Sequence, residues 1–373
     1  MNNWRRWIAW VLTAALALGT VSFASAAGTV GAAGAEVEAP AHLQVIADES
    51  AVEADGKWNL HLIYHNVDNK ARTNTQLNVK IHDLLEVVDA GGAEWDAAQS
   101  MLKWHVKDTP ANGATVFHFQ LKVKGNAKTG DEVDVEGEVE LEGGVKWKTP
   151  KIKAKVGTVV HQPFMQGYPD GLFRPDGSLT RAETAAMIAR IDGLRAAEAA
   201  PYEDVPTSHW AYRYIQQVSA DGYMVGFDGK FRPDEPITKA ELIVLMLRLH
   251  GIVEAPFDSP FEDVKGHWSR HALGTAHALG YVKQAVGGGK AARFLPDVAI
   301  SRKEAAQWLS IGLQRGPLKD GETDVAQHFP DVPANHPYFE WIEEASAVAH
   351  EAKQRGEGVE HLVRYLPEQT APF

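Results

Sequence analysis

A basic residue directly follows the N-cap of a predicted helix at three places in this sequence. The three cap and cation pairs are Thr180 with Arg181, Thr238 with Lys239, and Ser301 with Arg302. A cation at a helix N-terminus faces the positive end of the macrodipole, so it does not stabilise the helix. Together with the unpaired N–H groups of the first turn, it forms a site for a small anion such as a carboxylate or phosphate. The alternative is a solvated surface side chain, and recurrence in three copies favours anion binding.

A glutamate also recurs three residues after each cap, at Glu183, Glu241 and Glu304. This spacing is that of a capping box, in which the glutamate carboxylate accepts a hydrogen bond from the backbone N–H of the cap residue. The glutamates therefore have a helix-capping role, which accounts for their recurrence without any catalytic function.

Two Asp-Gly turns and two tryptophans accompany these helices. Asp170-Gly171 and Asp228-Gly229 predict tight turns in which the glycine adopts a positive φ. Trp210 and Trp268 each follow a histidine near the start of another helix. Each tryptophan can stack on a sugar ring or fill a hydrophobic core, and the sequence leaves both roles open.

The pattern predicts no metal, cofactor or catalytic site. The sequence contains no cysteine, which excludes thiolate zinc ligands. His61 and His65 would lie on one strand face roughly 13 Å apart, too far to share an ion. His267 and His271 have helical i, i+4 spacing, but no carboxylate partner is indicated. No carboxylate pair suited to glycoside hydrolysis stands out, so we predict a protein that is not an enzyme.

Charge and an N-terminal leader define the expected compartment. The 373 residues carry a formal net charge of −12, which argues against nucleic acid or an anionic membrane as the main partner. Residues 1–26 are predicted to be a signal peptide, with Arg5 and Arg6 before an apolar stretch and Ala24-Ser25-Ala26 as the cleavage site. The apolar stretch is shorter than the about 20 residues of a membrane span. We expect a secreted protein at the surface of a Gram-positive bacterium, without a transmembrane segment.

The segment 36–157 alternates apolar and polar side chains, as in Leu60, Leu62 and Tyr64. Gly, Asn and Asp turn signals separate six or seven such runs, which predicts an antiparallel β-sandwich of immunoglobulin type. The order "LIYHNVDNKARTNTQLNVKIHD", "WDAAQSMLKWHVKD" and "FHFQLKVKG" is similar to the Ig-like repeats of bacterial surface proteins.

The segment 164–349 repeats itself. The caps at 180, 238 and 301 lie 58 and 63 residues apart, and aromatic-Glu/Pro-Asp-Val strings begin at Tyr202, Phe261 and Phe329. Each repeat is predicted to be two helices joined by a Gly/Asp turn. The predicted division is a half copy at 164–200, full copies at 201–257 and 260–315, and a half copy at 328–349. The tail at 350–373 carries no interpretable pattern.

The ordered strings FxDV, HWA, GYxDGxFRP and TRAE resemble the S-layer homology (SLH) domain, a module that moors surface proteins non-covalently to the bacterial wall. The resemblance covers 164–349 and implies an all-α array with pseudo-threefold symmetry. It also implies that grooves in the array bind a secondary wall polymer with pyruvylated sugars. The polymer-binding residues expected on this basis are Arg181, Lys239, Arg302, Asp170, Gly171, Asp228, Gly229, Trp210 and Trp268.

The array departs from this pattern because it begins and ends in the middle of a module. The C-terminal half can pack beside the N-terminal half and complete a third module, or the array can stay open. The third copy, from Gly287, lacks the Asp-Gly turn, so Arg181 and Lys239 are stronger candidates than Arg302.

The leading interpretation is a wall-bound surface protein that displays the β-sandwich. One alternative is a wall-anchored scaffold whose sandwich captures another surface protein. A less favoured alternative is a wall-bound glycan hydrolase.

Overall fold

The computed structural model of the protein describes residues 42–197, 201–282, 293–346 and 348–371. The predicted signal peptide at 1–26, the start of the predicted sandwich at 36, and residues 287–292 of the string that begins at Gly287 lie outside these residues. Within the described ranges, no helix combines the length and the apolar character that a membrane span requires.

Strands dominate the first half of the chain, and helices dominate the second. The strands are β1 (His42–Ala47), β2 (Ala51–Val52), β3 (Lys57–His65), β4 (Arg72–Ile81), β5 (Leu85–Asp89), β6 (Glu94–Asp96), β7 (Met101–Thr109), β8 (Ala114–Val123), β9 (Glu132–Leu141), β10 (Val145–Lys148), β11 (Ile152–Val156), β12 (Val159–His161), β13 (Leu318–Lys319), β14 (His350–Gln354) and β15 (Glu360–Tyr365). The α-helices are α1 (Arg181–Ile191), α2 (Tyr212–Ala220), α3 (Lys239–Leu249), α4 (Arg270–Ala278), α5 (Arg302–Gly312) and α6 (Phe339–Ser346).

The first eleven strands form two sheets, in the order β1-β3-β8-β5 and β2-β11-β9-β4-β7-β6, with β10 paired to β9. All pairs are antiparallel except β2 with β11. Strand β9 shows why the segment folds in this way, because Val133, Val135, Val139 and Leu141 are buried while charged residues alternate with them. This sheet-rich region fits the predicted β-sandwich.

Helices α1, α3 and α5 begin around a closed ring of backbone hydrogen bonds. Leu179 N donates to Ile300 O (3.1 Å), Ile300 N donates to Ile237 O (3.0 Å), and Ile237 N donates to Leu179 O (2.9 Å). Each ring residue is buried and lies two positions before the first residue of its helix. The three helix starts are therefore arranged around a pseudo-threefold axis.

The two half copies at the ends of the array pack against each other. Phe164 N donates to the carbonyl of Ala345 at 3.0 Å. The rings of Phe173 and Phe329 lie 5.4 Å apart between centroids. The array is therefore closed, since the C-terminal half supplies the helix that the N-terminal half lacks.

The sandwich is docked onto this array. Ile63 on β3 is buried in the same apolar cluster as Ile243 and Leu247 of α3. Gln44 on β1 makes two hydrogen bonds at the joint: its Nε2 donates to Gly251 O (2.9 Å), and its Oε1 accepts from Val253 N (2.9 Å). Because β3 is covered on both faces, its buried run is continuous rather than alternating.

The predicted fold class, an Ig-like sandwich followed by an all-α repeat array, was wrong for the second part. Strands β12, β14, β15 and β13 form a four-stranded sheet in that order, which joins the linker before the array to the chain after α6. The segment 350–354 alternates buried and half-buried positions, as a strand does. Its inward side chains include the polar residues His350 and Gln354, and Glu360 is buried on β15. An alternation of polar residues escapes a search for hydrophobic periodicity.

Candidate functional site

Capping boxes define the starts of α1, α3 and α5. At α1, Thr180 Oγ1 accepts from Glu183 N (3.2 Å), and Glu183 Oε2 accepts from Thr180 N (2.8 Å). Thr238 with Glu241 makes the same pair of bonds at α3, and Ser301 with Glu304 makes it at α5. The side chains that sequence reasoning treated as caps therefore hold the first turn of each long helix.

The first two N–H groups of each long helix are also occupied, by carbonyl groups of a neighbouring copy. At α1, Arg181 N donates to Glu235 O and Ala182 N donates to Pro233 O, both at 2.9 Å. The equivalent donors at α3 are Lys239 N and Ala240 N, and those at α5 are Arg302 N and Lys303 N. The helix N–H groups that the anion-site hypothesis invoked are therefore engaged, and an anion can be held there only by side chains.

The recurring cations pair with the capping glutamates of the neighbouring copies. The three pairs are Arg181 Nη1 with Glu241 Oε1 (3.6 Å), Lys239 Nζ with Glu304 Oε1 (2.6 Å), and Arg302 Nη1 with Glu183 Oε1 (3.7 Å). Burial opposes ionisation of Glu304, but hydrogen bonds from Lys239 and Ser301 outweigh it and hold the pKa of that carboxyl below its usual value. The pairs run in one direction around the axis, so each copy is linked to the next by one cation and one box glutamate.

The three cations differ in access to solvent. The Arg302 side chain is 5% exposed, because its Nε and Nη2 donate to Phe173 O (2.8 Å) and Gln166 O (2.5 Å). Tyr168 also lies under its guanidinium, 4.7 Å from the ring centroid. The side chains of Arg181 and Lys239 are 16% and 17% exposed. A ligand therefore has better access to Arg181 and Lys239 than to Arg302.

Trp210 and Trp268 are exposed, at 58% and 60%. The local chain forces this orientation, because Trp210 lies between His209 and the buried Ala211, and His209 Nδ1 accepts from Ala211 N at 3.1 Å. His267 and the buried Ser269 flank Trp268 in the same way, with Ser269 N donating to His267 Nδ1 at 3.3 Å. The two tryptophans therefore do not fill the core.

The tryptophan and cation positions occupy different ends of the array's helices. Trp210 packs edge-on against Tyr214, and the guanidinium of Arg190 lies 5.5 Å from the centre of that ring. Arg190 is in the last turn of α1, whereas Arg181 is its first residue. Nine residues of helix separate them by about 14 Å. The predicted ligand residues thus form separated contacts rather than one pocket.

The Asp-Gly turns adopt the backbone that their composition predicts. Gly171 and Gly229 have φ of 81° and 73°, and Asp228 also has a positive φ of 52°. Asp170 Oδ2 accepts from Arg174 Nη2 at 2.6 Å, within the same loop. These four residues lie on the surface next to the loops that cap the neighbouring helices.

Sequence reasoning missed the residues that fix these loops. Arg174, Arg232 and Leu295 occupy one position of the three copies and share a positive φ of 57–61°. An aspartate carboxylate accepts the N–H groups of that residue and the one before it: Asp331, Asp204 and Asp263, respectively. Arg174 and Arg232 are exposed cations on these loops. The recurring aspartate of the FxDV strings was the signal that could have located this contact.

Comparisons with known proteins show which proteins the chain is similar to. Residues 161–185 and 201–243 match the family model of the S-layer homology domain. The chain is 34% identical over 221 residues to a cellulosome-anchoring protein of Acetivibrio thermocellus, covering 56% of this chain and 47% of that protein. It is 32% identical over 188 residues to cell surface glycoprotein 1 of the same organism, covering 46% of this chain and 8% of that protein. The S-layer protein EA1 of Bacillus anthracis is 27% identical over 192 residues, covering 50% of this chain and 21% of that protein.

The family match falls on the first half copy and on most of the first full copy of the closed array. The chain therefore contains S-layer homology domain sequence and is similar to proteins of the bacterial cell surface and cell wall. It spans less than half the length of the relatives described above.

Proposed function

We propose that the chain anchors itself non-covalently to the wall by binding an anionic secondary wall polymer, and that it carries the β-sandwich on this anchor. The observation that carries the proposal is the exposure of Trp210 and Trp268 at equivalent positions of two copies. Large aromatic side chains exposed on a folded surface mark an interaction site, since burying them on a ligand is favourable. Stacking on sugar rings is the role that suits them.

The polymer's acidic groups, with pyruvyl ketals as the proposed chemistry, bind the accessible cations. A ligand carboxylate at Arg181 or Lys239 competes with Glu241 or Glu304 for the same side chain. Arg232 adds a second exposed cation beside Arg181, because Arg181 Nε donates to the carbonyl of Phe231, the residue before Arg232. Local cations are required since the chain as a whole is acidic, at −12.

The protein is proposed to act as an anchor and not as an enzyme. The relatives reported above are an anchoring protein, a surface glycoprotein and an S-layer protein. The docking of the sandwich through Ile63 and Gln44 supports its presentation as one body with the array.

Sedimentation of the purified chain with bacterial walls tests this proposal. We expect the chain to sediment with intact walls and to stay in solution with walls stripped of their secondary polymer. Mild acid hydrolysis of the ketals, with the polymer left in place, should also reduce binding. Equal binding to intact and stripped walls would contradict the proposal that the polymer is the ligand. Binding that is unchanged after loss of the ketals would contradict only the proposal that pyruvyl groups are recognised.

A matched pair of variants tests the tryptophans. Replacing Trp210 and Trp268 with Ala should weaken wall binding roughly tenfold or more, as truncation of an aromatic hot spot does. The control is Trp95→Ala, which removes an exposed tryptophan from the sandwich. Equal binding by the double variant and the control would contradict a role for these side chains.

A further inference from the structure

A cluster of polar side chains is buried where the chain after α6 joins the linker before the array. His161 on β12, Glu344 on α6, His350 on β14 and Glu360 on β15 are at most 4% exposed. Glu344, His350 and Glu360 lie on three consecutive elements at the end of the array, whereas His161 precedes the array. Burial of two carboxyl groups and two imidazoles is costly unless every group is matched by a partner.

The side-chain donors of this cluster converge on one another. His161 Nε2 lies 3.1 Å from Glu360 Oε1, and His350 Nε2 lies 2.8 Å from Glu344 Oε2. One donor atom each of His161, Glu344 and Glu360 lies within 4.8 Å of the other two. Donors bound at about 2.0–2.2 Å to one tetrahedral ion lie roughly 3.3–3.6 Å apart. The three donors are therefore near the separation of metal ligands, and His350 Nε2, which contacts Glu344, adds a fourth candidate donor beside them.

Two details of the cluster point to a ligand. Glu360 Oε2 is buried and has no hydrogen-bond partner among the described residues. His350 Nδ1 donates to Val348 O at 3.1 Å, which orients the ring so that Nε2 faces Glu344 in the cluster. A histidine oriented by a backbone carbonyl in this way is typical of metal ligands. The orphaned carboxylate oxygen is a further buried donor atom on a residue of the cluster.

The charges also leave room for a cation. Arg315 Nη1 lies 3.5 Å from Glu344 Oε1 and places a permanent positive charge beside that carboxylate. Gln354 Nε2 donates to Glu360 Oε1 and completes the polar contacts of that oxygen. With neutral imidazoles, two carboxylates and one guanidinium carry a net charge of −1, which favours a bound cation.

We propose that His161, Glu344, His350 and Glu360 bind one divalent transition-metal ion, with Zn²⁺ the best match. Two imidazole nitrogens and two carboxylate oxygens suit zinc, whereas Ca²⁺ and Mg²⁺ prefer sites made of oxygen alone. The ion joins β12 to α6 and to the hairpin β14–β15, so it fastens the two ends of the array together.

Metal analysis of the full chain without a histidine tag tests the proposal. The chain is folded in the presence of Zn²⁺, dialysed against metal-free buffer and analysed by mass spectrometry for elements. About one zinc per chain is expected, together with a higher melting temperature than the metal-free chain has. A folded chain that retains no zinc overturns the proposal and identifies the cluster as a metal-free network of shared protons.

Variants locate the ion. Glu360→Gln and the double variant His161→Gln with His350→Gln should lose zinc or bind it at least tenfold more weakly. The control is His328→Gln, which breaks the nearby contact of His328 Nδ1 with Glu343 Oε2 (2.6 Å) and leaves the four donors intact. Zinc retention by the cluster variants equal to that of the control overturns the assignment.

A spectroscopic measurement on the wild-type chain covers the case in which the variants do not fold. X-ray absorption of the zinc-loaded chain should show four nitrogen or oxygen ligands at about 2.0–2.1 Å, with the outer-shell scattering of imidazole rings. Absence of imidazole scattering overturns the proposal without recourse to any substitution.

Discussion

The carboxylate of Asp331 accepts a hydrogen bond from the backbone N–H of Phe173, 158 residues earlier in the chain, at 2.9 Å. Its second oxygen accepts from Arg174 N at 2.7 Å. Asp204 and Asp263 make the same contacts within their own copies over 27 and 31 residues. The hydrogen bonds that organise a complete copy thus also join the two half copies.

Asp331→Ala should destabilise the closed array. The substitution removes the acceptor of two backbone N–H groups, and a hydrogen bond to a charged group contributes about 1.5–3 kcal/mol. Thermal unfolding should shift to a lower temperature by several degrees. Asp176→Ala is the control, since Asp176 is an exposed residue that contacts Lys303. Similar melting temperatures for both variants would contradict closure through Asp331.

The three recurring cations should separate binding from stability. Replacing Arg181 and Lys239 with Ala should strongly weaken wall binding, by about 1.5–3 kcal/mol for each lost charge-assisted contact. Arg302→Ala should instead act on stability, by about 3 kcal/mol, since it leaves Glu183 and two carbonyl groups without their buried partner. Sedimentation with walls and thermal unfolding measure the two effects. If Arg302→Ala weakened wall binding while the Arg181 and Lys239 double variant changed stability alone, the ligand contact would be assigned to Arg302.

Removal of a helix cap should affect stability alone. Thr238→Ala leaves the N–H of Glu241 without its acceptor and should cost about 1 kcal/mol. Denaturant unfolding measures the cost, and wall sedimentation at a temperature where the variant is folded should be unchanged. Thr238→Ser keeps the hydroxyl and serves as the control. A loss of wall binding in the folded Ala variant would indicate that the cap contacts the polymer.

Glu49 should make folding stability dependent on pH. Burial raises the pKa of Glu49 to about 7, against the hydrogen bonds from Asn59 that lower it. The folded state then keeps a proton that the unfolded state releases near pH 4.5. Stability is fully present below that pH and falls as pH rises through 7, by about 3 kcal/mol in total.

Glu49→Gln should remove this part of the pH dependence, because the amide does not ionise. The difference in melting temperature between wild type and variant, measured from pH 4.5 to 8.5, isolates the contribution of Glu49 from that of other groups. Glu94→Gln, at an exposed position of β6, is the control. A constant difference across this range would contradict the raised pKa.

Local patterns carried most of what the sequence could predict. The caps Thr180, Thr238 and Ser301 could be predicted because each depends only on residues of its own helix. The alternation in β9 could be predicted because it depends only on which face of its own sheet is buried. The pairing of Arg181 with Glu241 was not predicted, because it depends on how copies pack around the axis. The strands β14 and β15 were missed because His350, Gln354 and Glu360 face inward, so apolar alternation was absent. The exposure of Trp210 was not predicted, because it depends on which residues of the folded chain pack around it.

The backbone ring of Leu179, Ile237 and Ile300 restricts how such an array can change in evolution. An open solenoid contacts only its neighbours and can gain or lose one repeat at a time. In a closed ring each member donates to one neighbour and accepts from the other, so duplication of a single copy would break a link before it could form new ones. Because the links use backbone atoms, side chains at these positions can drift among apolar residues. We therefore expect copy number to change by whole rings, while sequence changes freely within each copy.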